Sequence, residues 1–473
     1  MRTKIIATLG PASLDYDVMK NLVGYGVRIF RLNFSHADPE YFESTVGMVR
    51  ELEKEFGIPL TVMGDLCGPK IRIGEVEGSP KSVEKGSNVL LGGPGDREKA
   101  KSLTFIELEV PPLLKGLKPG SPVSLSDGML NFRVSRVIEE DAFFELEAQN
   151  DGILTSFKGI AFPGKYHEMP ALTDKDRRDL KGALKIGVDA LAMSFVQSEK
   201  DVLELKEEIK KEGKWVPVVA KLERQAAVDN LDKILEVSDA IMVARGDLGL
   251  EAPLSSLPVI QKRIIRAARH HQKAAIVATQ MLLSMVKNPV PTRAETTDVA
   301  NAILDGADCV MLSEETAVGQ YPVEAVKLIS EIAEQAEDYF LERTQGPYPP
   351  SPKKNVVKYL AYSACLVAEQ TDAVGIACHS TSGQTARLIS SRRPAQSIYA
   401  LTPDERVVRA LNFTWNVRPR LAEMSIERHV ERVEHFIQND KNFKPGDTMI
   451  ITSGQPTPGQ PDISTNEIKI YTK

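Results

Sequence analysis

The sequence predicts an α/β protein built on a (β/α)8 TIM barrel, interrupted by a β insert and followed by an open α/β sheet. Three observations carry that expectation. Eight apolar runs rich in branched residues alternate with amphipathic helical stretches. More than a hundred residues separate the third run from the fourth, far beyond an ordinary loop. A Pro-rich stretch after Glu342 then breaks the pattern before further strand and helix signals resume.

The eight runs fall at 3–9, 27–34, 59–66, 190–196, 216–223, 240–246, 274–281 and 308–313, the strand number of a closed parallel barrel. Several end in charge. Val218-Val219-Ala220 leads into Lys221-Leu222-Glu223, and Ile241-Met242-Val243-Ala244 leads into Arg245-Gly246-Asp247. Runs of this kind suit strands covered on both faces, and in a parallel barrel the functional groups gather at the carboxyl ends of the strands. Strand side chains alternate, so Lys221 and Glu223 share a face and Asp247 joins them from the next strand. The alternative is a purely structural Lys221–Glu223 ion pair, which is disfavoured because buried charge pairs are poor stabilisers.

Residues 70–164 fill the long gap. Short alternating segments at Ser87–Leu91, Pro122–Leu125 and Phe143–Ala148, punctuated by Gly and Pro, read as an all-β module placed to act as a lid. Beyond Gly346-Pro-Tyr-Pro-Pro-Ser-Pro352, strands at Ala373–Cys378, Ser397–Leu401 and Thr448–Thr452 alternate with helical runs. The expected domains are therefore 1–69 with 165–342, the insert 70–164, and 343–473.

Composition narrows the functional classes. The 473 residues are 42% hydrophobic and 26% charged, with 59 basic against 65 acidic side chains and a net charge of -6, so a general nucleic-acid binder is not expected. No apolar stretch reaches the roughly 18 residues of a membrane span, and a cytoplasmic protein is expected. Cys67, Cys309, Cys365 and Cys378 lack paired spacing and read as reduced thiols.

Several motifs together resemble the pyruvate kinase family along nearly the whole chain: Thr3-Lys-Ile-Ile-Ala-Thr-Leu-Gly-Pro-Ala-Ser13, Arg31-Leu-Asn-Phe-Ser-His36, Gly68-Pro-Lys-Ile-Arg72, Pro170-Ala-Leu-Thr-Asp-Lys-Asp176, Met242-Val-Ala-Arg-Gly-Asp-Leu-Gly249, Ala278-Thr-Gln-Met281 and Pro291-Thr-Arg-Ala-Glu295. The resemblance implies a catalytic barrel, a small β-barrel lid and a C-terminal domain. It also implies phosphoryl transfer from phosphoenolpyruvate to ADP, giving ATP and pyruvate, in an enzyme requiring Mg2+ or Mn2+ and assembled as a homotetramer, with an inter-subunit helix beginning within Pro291–Ala300. By the same resemblance Glu223 and Asp247 hold the divalent cation, and Lys221 stabilises charge on the phosphoryl group and the enolate.

The remaining site residues come from the same source, supported by their chemistry. Ala244, Gly246 and Asp247, in the segment with Arg245, resemble the family's cradle for the substrate carboxyl group, a side-chain-free amide being able to approach it closely. Thr279 completes the cradle or holds a proton-relay water, with a plain strand threonine as the alternative. Ser313 resembles a serine of the enolate-side water network, although Glu314 replaces the usual glycine. Arg31 and Arg72 suit phosphates through their planar forks. Lys158 matches a lid lysine, with Ala161 where asparagine is usual, and a solvated lysine is its alternative. Asn33 and His36 border the nucleotide, His36 alternatively being structural.

One departure bears on cofactors. Many family members carry glutamate where this chain has Lys70, beside a K+ bound by residues matching Asn33, Ser35, Asp65 and the carbonyl of Leu66. An ammonium there supplies the positive charge itself, so K+ is expected to be dispensable. Cys67 stands nearby where the family usually has lysine. In the C-terminal unit, Ser380, Thr381, Ser382, Gly383 and Thr385 resemble a loop that receives an effector phosphate, with ordinary helix capping as the alternative.

Overall fold

The computed structural model describes residues 1–69, 71–100, 103–126, 128–163, 170–343, 346–350, 355–454 and 465–473. The first strand (Lys4–Thr8), second (Val27–Asn33), third (Thr61–Leu66), fourth (Ala190–Met193), fifth (Val218–Leu222), sixth (Ala240–Ala244), seventh (Ala274–Ala278) and eighth (Cys309–Leu312) close into a barrel. Every neighbouring pair is parallel; consecutive strands lie side by side, and the eighth closes on the first.

The period-two alternation sorts each strand. Ile5, Ala7, Phe30, Leu32, Leu191, Val218 and Ala220 pack against the surrounding helices. Ile6, Ile29, Met63, Ala192, Val219, Met242, Ile276 and Met311 fill the interior, and Phe413 from the C-terminal unit joins this core. Two residues further along six of the eight strands the same inward line turns polar: Thr8, Arg31, Asp65, Ser194, Lys221 and Ser313 follow Ile6, Ile29, Met63, Ala192, Val219 and Met311. An apolar floor thus carries a rim of hydrogen-bonding and charged groups.

The insert leaves the barrel through Gly68, whose positive φ and contact with Phe195 exclude a side chain: a Cβ would lie 2.7 Å from the ring. The Gly68 amide donates to Asp176, which also closes a capping box with Thr173 at the start of helix Asp174–Ile186. The insert's main sheet has six strands, running from Ile160–Ala161 through Pro122–Leu125, Leu130–Glu139, Phe143–Ala148 and Asn88–Gly92 to Thr104–Glu107. Lys81–Val83 and Gly152–Leu154 form a separate two-stranded ribbon. Leu91, Ile106, Leu125, Phe132, Phe144 and Leu146 give the insert its own core.

The C-terminal sheet has five strands, ordered Val417–Leu421, Ser397–Thr402, Gly375–His379, Thr448–Ser453 and Glu467–Thr472, with the last antiparallel. Ile376, Ile398 and Ile450 face one helical layer, while Ala377, Tyr399 and Ile451 face the other. This unit seats on the foot of the barrel: Cys309 Sγ donates to the carbonyl of Phe413, and the buried Arg393–Asp308 pair lies at 3.0 Å.

Candidate active site

The fifth strand ends with Lys221 pointing along the inward line into the mouth. Its ammonium donates to Ser194 Oγ at 2.7 Å and pairs with Glu223 Oε1 at 2.9 Å and Asp65 Oδ1 at 3.3 Å. Ser194 Oγ in turn donates to the carbonyl of Leu66 at 2.7 Å. Asp65 Oδ2 accepts from Arg31 Nε at 2.6 Å, and Arg31 Nη1 reaches Thr8 Oγ1 at 3.1 Å. Arg31, Asp65, Ser194, Lys221 and Glu223 are all buried. Two cations and two carboxylates thus lock one another at the rim, and each orients the next.

Burial alone would push the Lys221 ammonium down, but Asp65 and Glu223 outweigh it and raise its pKa, so the charge persists across the physiological range. Burial likewise works against the Asp65 carboxylate, yet Lys221 and Arg31 hold it below the ordinary range. Glu223 moves the other way: burial raises it, Lys221 opposes, and the neighbouring negative charge of Asp247 raises it again. Glu223 Oε2 is already fixed by the Phe195 amide at 2.8 Å.

A depressed carboxyl contributes stability above its unfolded-state pKa, and this is lost as pH falls through the folded value. Asp65→Asn is therefore expected to cost about 3 kcal/mol at pH 7 by urea denaturation, as expected for breaking a buried pair. The gap from the parent protein should narrow below about pH 4, where the parent carboxyl takes up its proton.

Glu223 and Asp247 line one cavity of about 50 Å³, roofed by Ile71, Gly159 and Ala161 of the insert. That is room for an ion with some of its water. No group of three His, Cys, Asp or Glu side chains suited to a metal occurs among the described residues. Two hard carboxylates with mutual repulsion nevertheless fit a cation that completes its shell with water and substrate oxygens. Arg224 also lines this space; it is buried, its Nε and Nη1 lack hydrogen-bond partners, and its guanidinium stacks 5.1 Å from the Phe195 ring.

The sixth strand ends at buried Ala244, and the helix Arg245–Glu251 starts at once, carrying Asp247 in its first turn. The Gly246 amide donates to Thr279 Oγ1 at 2.9 Å, which leaves the Thr279 hydroxyl proton free for a further acceptor. A Cβ on Gly246 would make only ordinary contact with Thr279, at 3.5 Å. Thr279 and Gln280 both have positive φ, +70° and +55°, a strained turn for non-glycine residues. Arg245 holds that turn rather than entering the cradle. Its Nη2 donates to the Thr279 carbonyl at 2.8 Å, and Nη1 binds both oxygens of Asp298. Ser313 is positioned by its backbone, since its amide donates to buried Glu315, which also accepts from the Leu282 amide. Glu314 is exposed at the start of helix Glu314–Ala317.

The nucleotide-side residues are more dispersed. Asn33 Oδ1 accepts from the Ser35 amide at 3.2 Å, and Ser35 and His36 are exposed. Arg72 and Lys158 are exposed on the insert, where Arg72 donates to the Phe157 carbonyl at 2.9 Å. Lys70 lies outside the described residues. In the C-terminal loop, Thr385 bonds through its amide to Ser380 Oγ and through its hydroxyl to Thr465; Thr381 and Ser382 are held by their carbonyls to Thr402 and Arg387. Gly383 adopts a positive φ before the seven-residue helix Gln384–Ser390.

Sequence reasoning passed over Ser194, Glu315 and Arg224, and saw Asp65 only as a cation ligand. The signal for Ser194 was its place two residues beyond Ala192, on the inward line of the fourth strand.

A parallel barrel that presents two carboxylates to a small cavity under a β insert, with a charged lysine paired to one of them, defines a metal-assisted enzyme of anionic substrates. Comparison with known proteins then fixes the family. Residues 1–326 match the family model described as "Pyruvate kinase, barrel domain", and residues 358–471 match "Pyruvate kinase, alpha/beta domain". A pyruvate kinase of Agrobacterium vitis is 39% identical over 99% of this chain and 96% of its own length. Those of Methylorubrum extorquens and Thermococcus litoralis are each 38% identical over 99% of this chain, and over 97% and 98% of their own lengths. The chain belongs to the pyruvate kinase family.

Proposed function

We propose that this chain transfers the phosphoryl group of phosphoenolpyruvate to ADP, yielding ATP and pyruvate. Glu223 and Asp247 on one cavity beneath the insert, with the Lys221 ammonium paired to Glu223, carry the reading. The bond from phosphorus to the enol oxygen breaks, a bond forms to a β-phosphate oxygen of ADP, and the released enolate takes a proton on its methylene carbon.

A divalent cation, Mg2+ or Mn2+, bound by Glu223 and Asp247 would supply charge neutralisation at the phosphoryl and enolate oxygens. Lys221 holds a permanent positive charge beside that position and stabilises negative charge as it shifts to the enolate oxygen. Arg31, oriented by Asp65, presents the rest of its fork to the phosphoryl group. The free proton of Thr279, its oxygen held by the Gly246 amide, receives the substrate carboxylate at the side-chain-free face of Gly246, with Ala244 walling the cradle. Thr279 and Ser313 border the proton's route to the enolate. Arg72 and Lys158 bring cations from the lid to the nucleotide phosphates, beside Asn33 and His36.

Three further assignments belong to the same reading. The helix Arg293–Leu304, opened by the Thr292–Glu295 capping box, serves the contact of a homotetramer. The loop from Ser380 to Thr385 receives an effector phosphate. The protein is cytoplasmic; among the described residues no helix is long and apolar enough to cross a membrane.

Catalysis without K+ follows from Lys70. Support comes from the would-be ligands, which the chain already engages: the Leu66 carbonyl by Ser194, Asn33 Oδ1 by the Ser35 amide and Asp65 Oδ2 by Arg31. Titrating KCl against tetramethylammonium chloride is expected to leave the rate flat, and Lys70→Glu to make it rise with K+. Strict K+ activation of the parent enzyme refutes this.

The reaction itself is tested by pyruvate release from phosphoenolpyruvate. Release is expected only when ADP and a divalent cation are both present. Release without ADP would instead indicate a lyase or aldolase on the same barrel.

A further inference from the structure

Arg224 follows Glu223 at the end of the fifth strand and lines the same cavity as Glu223 and Asp247. It is 5% exposed. Burial, the largest influence, lowers its pKa, while Glu251, Glu223, Asp201 and Asp247 lie near enough to favour its charge. A buried guanidinium among acids ordinarily pairs with one of them, because an unpaired buried charge is costly. Arg224 is an exception. Among the described residues no carboxylate forms a salt bridge with it, and its Nε and Nη1 have no hydrogen-bond partner. Each unmet donor lowers stability, so the arrangement calls for a reason outside folding.

Phe195 supplies the restraint. Its ring holds the guanidinium at 5.1 Å, a cation–π contact, while its amide donates to Glu223 Oε2. Glu223 Oε1 is taken by Lys221, so neither oxygen of Glu223 turns to Arg224. We infer that Arg224 is a positioning residue for the metal site: held against Phe195, it lends positive charge to Glu223 and Asp247 without capping either of them. The inference rests on the reading that these two carboxylates hold the divalent cation.

Two consequences follow from that placement. A guanidinium bonded directly to Asp247 would occupy a ligand, whereas none at all would leave two acids repelling one another beneath the insert. Standing between these extremes, Arg224 keeps the empty pair open and holds affinity low enough for the ion to exchange. Loss of its charge and loss of its restraint therefore move cation binding in opposite directions.

The test is Mn2+ binding to the full chain without substrate or nucleotide, followed by electron paramagnetic resonance of the free ion. Arg224→Gln is expected to tighten Mn2+ by about threefold to tenfold, because a like charge beside the ion is gone. Arg224→Lys keeps the charge and should give no tightening. Phe195→Leu removes the ring but keeps the amide on Glu223. Its freed guanidinium can pair with the acids, so Mn2+ should bind about threefold or more weakly. In the double variant Arg224→Gln with Phe195→Leu there is nothing left to restrain, and affinity should match that of Arg224→Gln alone. A merely structural pair would instead weaken binding in every variant, most of all in the double. Should Phe195→Leu fail to fold, the two Arg224 variants still decide the sign. Unchanged or weaker binding in Arg224→Gln, equal tightening in Arg224→Lys, or a Phe195→Leu loss that persists without Arg224 overturns the inference. Those results leave the metal assignment standing. If Glu223→Gln leaves Mn2+ affinity at the parent value, that assignment has failed, and this inference with it.

Discussion

Lys221→Met is expected to lower kcat by about 10³-fold or more while leaving the protein folded and able to bind a divalent cation. The loss follows from position. The ammonium is fixed from three sides by Ser194, Glu223 and Asp65, so it meets developing charge with no reorganisation. Its removal leaves Glu223 with one fewer opposing charge and the site more negative, so Mn2+ affinity should hold or rise even as turnover collapses. Electron paramagnetic resonance of free Mn2+ alongside steady-state kinetics separates the two effects. A fall in both together would mean that Lys221 serves only to support the fold. Because Lys221 is raised well clear of neutrality, the kcat profile of the parent should show no limb from its deprotonation below about pH 10.

Glu223→Gln carries the second large effect. One of two anionic oxygen donors becomes neutral, and the amide that replaces it no longer repels Asp247 and attracts a cation far less. The divalent concentration needed for half-maximal rate should rise about tenfold to a hundredfold, with kcat also falling at saturation. Asp247→Asn should behave alike. Stability argues against a merely structural role for Glu223: its carboxylate is raised by burial and by Asp247, so at neutral pH it is held charged at a cost to folding. The amide removes that cost while keeping an oxygen for the Phe195 amide. The variant is therefore expected to melt at or above the parent temperature while losing activity.

How much of this was legible in the chain follows from the kind of signal each residue leaves. Lys221, Glu223 and Asp247 were legible because charge at the end of an apolar run contradicts burial unless it is used, and alternation then assigns the face. The strands themselves were legible for the same reason, although several expected runs overshoot; the fourth ends at Met193 rather than 196, since the chain turns at Ser194 and Phe195, where Phe195 has a φ of +57°. Pairings across the barrel were not legible. That Asp65 would serve Lys221 and Arg31 at once depends on distances between strands far apart in sequence. Ser194 carries no charge and looks like any strand-end serine. Arg245 misled because a helix begins at that residue, turning its side chain away toward Asp298 while Gly246 and Asp247 face the mouth. The strained turn at Thr279 left no trace, because neither Thr279 nor Gln280 is a residue that usually adopts positive φ.

The most direct measurement is anomalous diffraction from crystals grown with Mn2+ and oxalate, a planar dianion with the shape and charge of the pyruvate enolate. The expected result is a single strong peak at the barrel mouth, about 2.1 Å from a carboxylate oxygen of both Glu223 and Asp247, with Lys221 Nζ beside the bound oxalate. A peak touching neither carboxylate, or only one of them, would contradict the assignment of this mouth as the site of phosphoryl transfer.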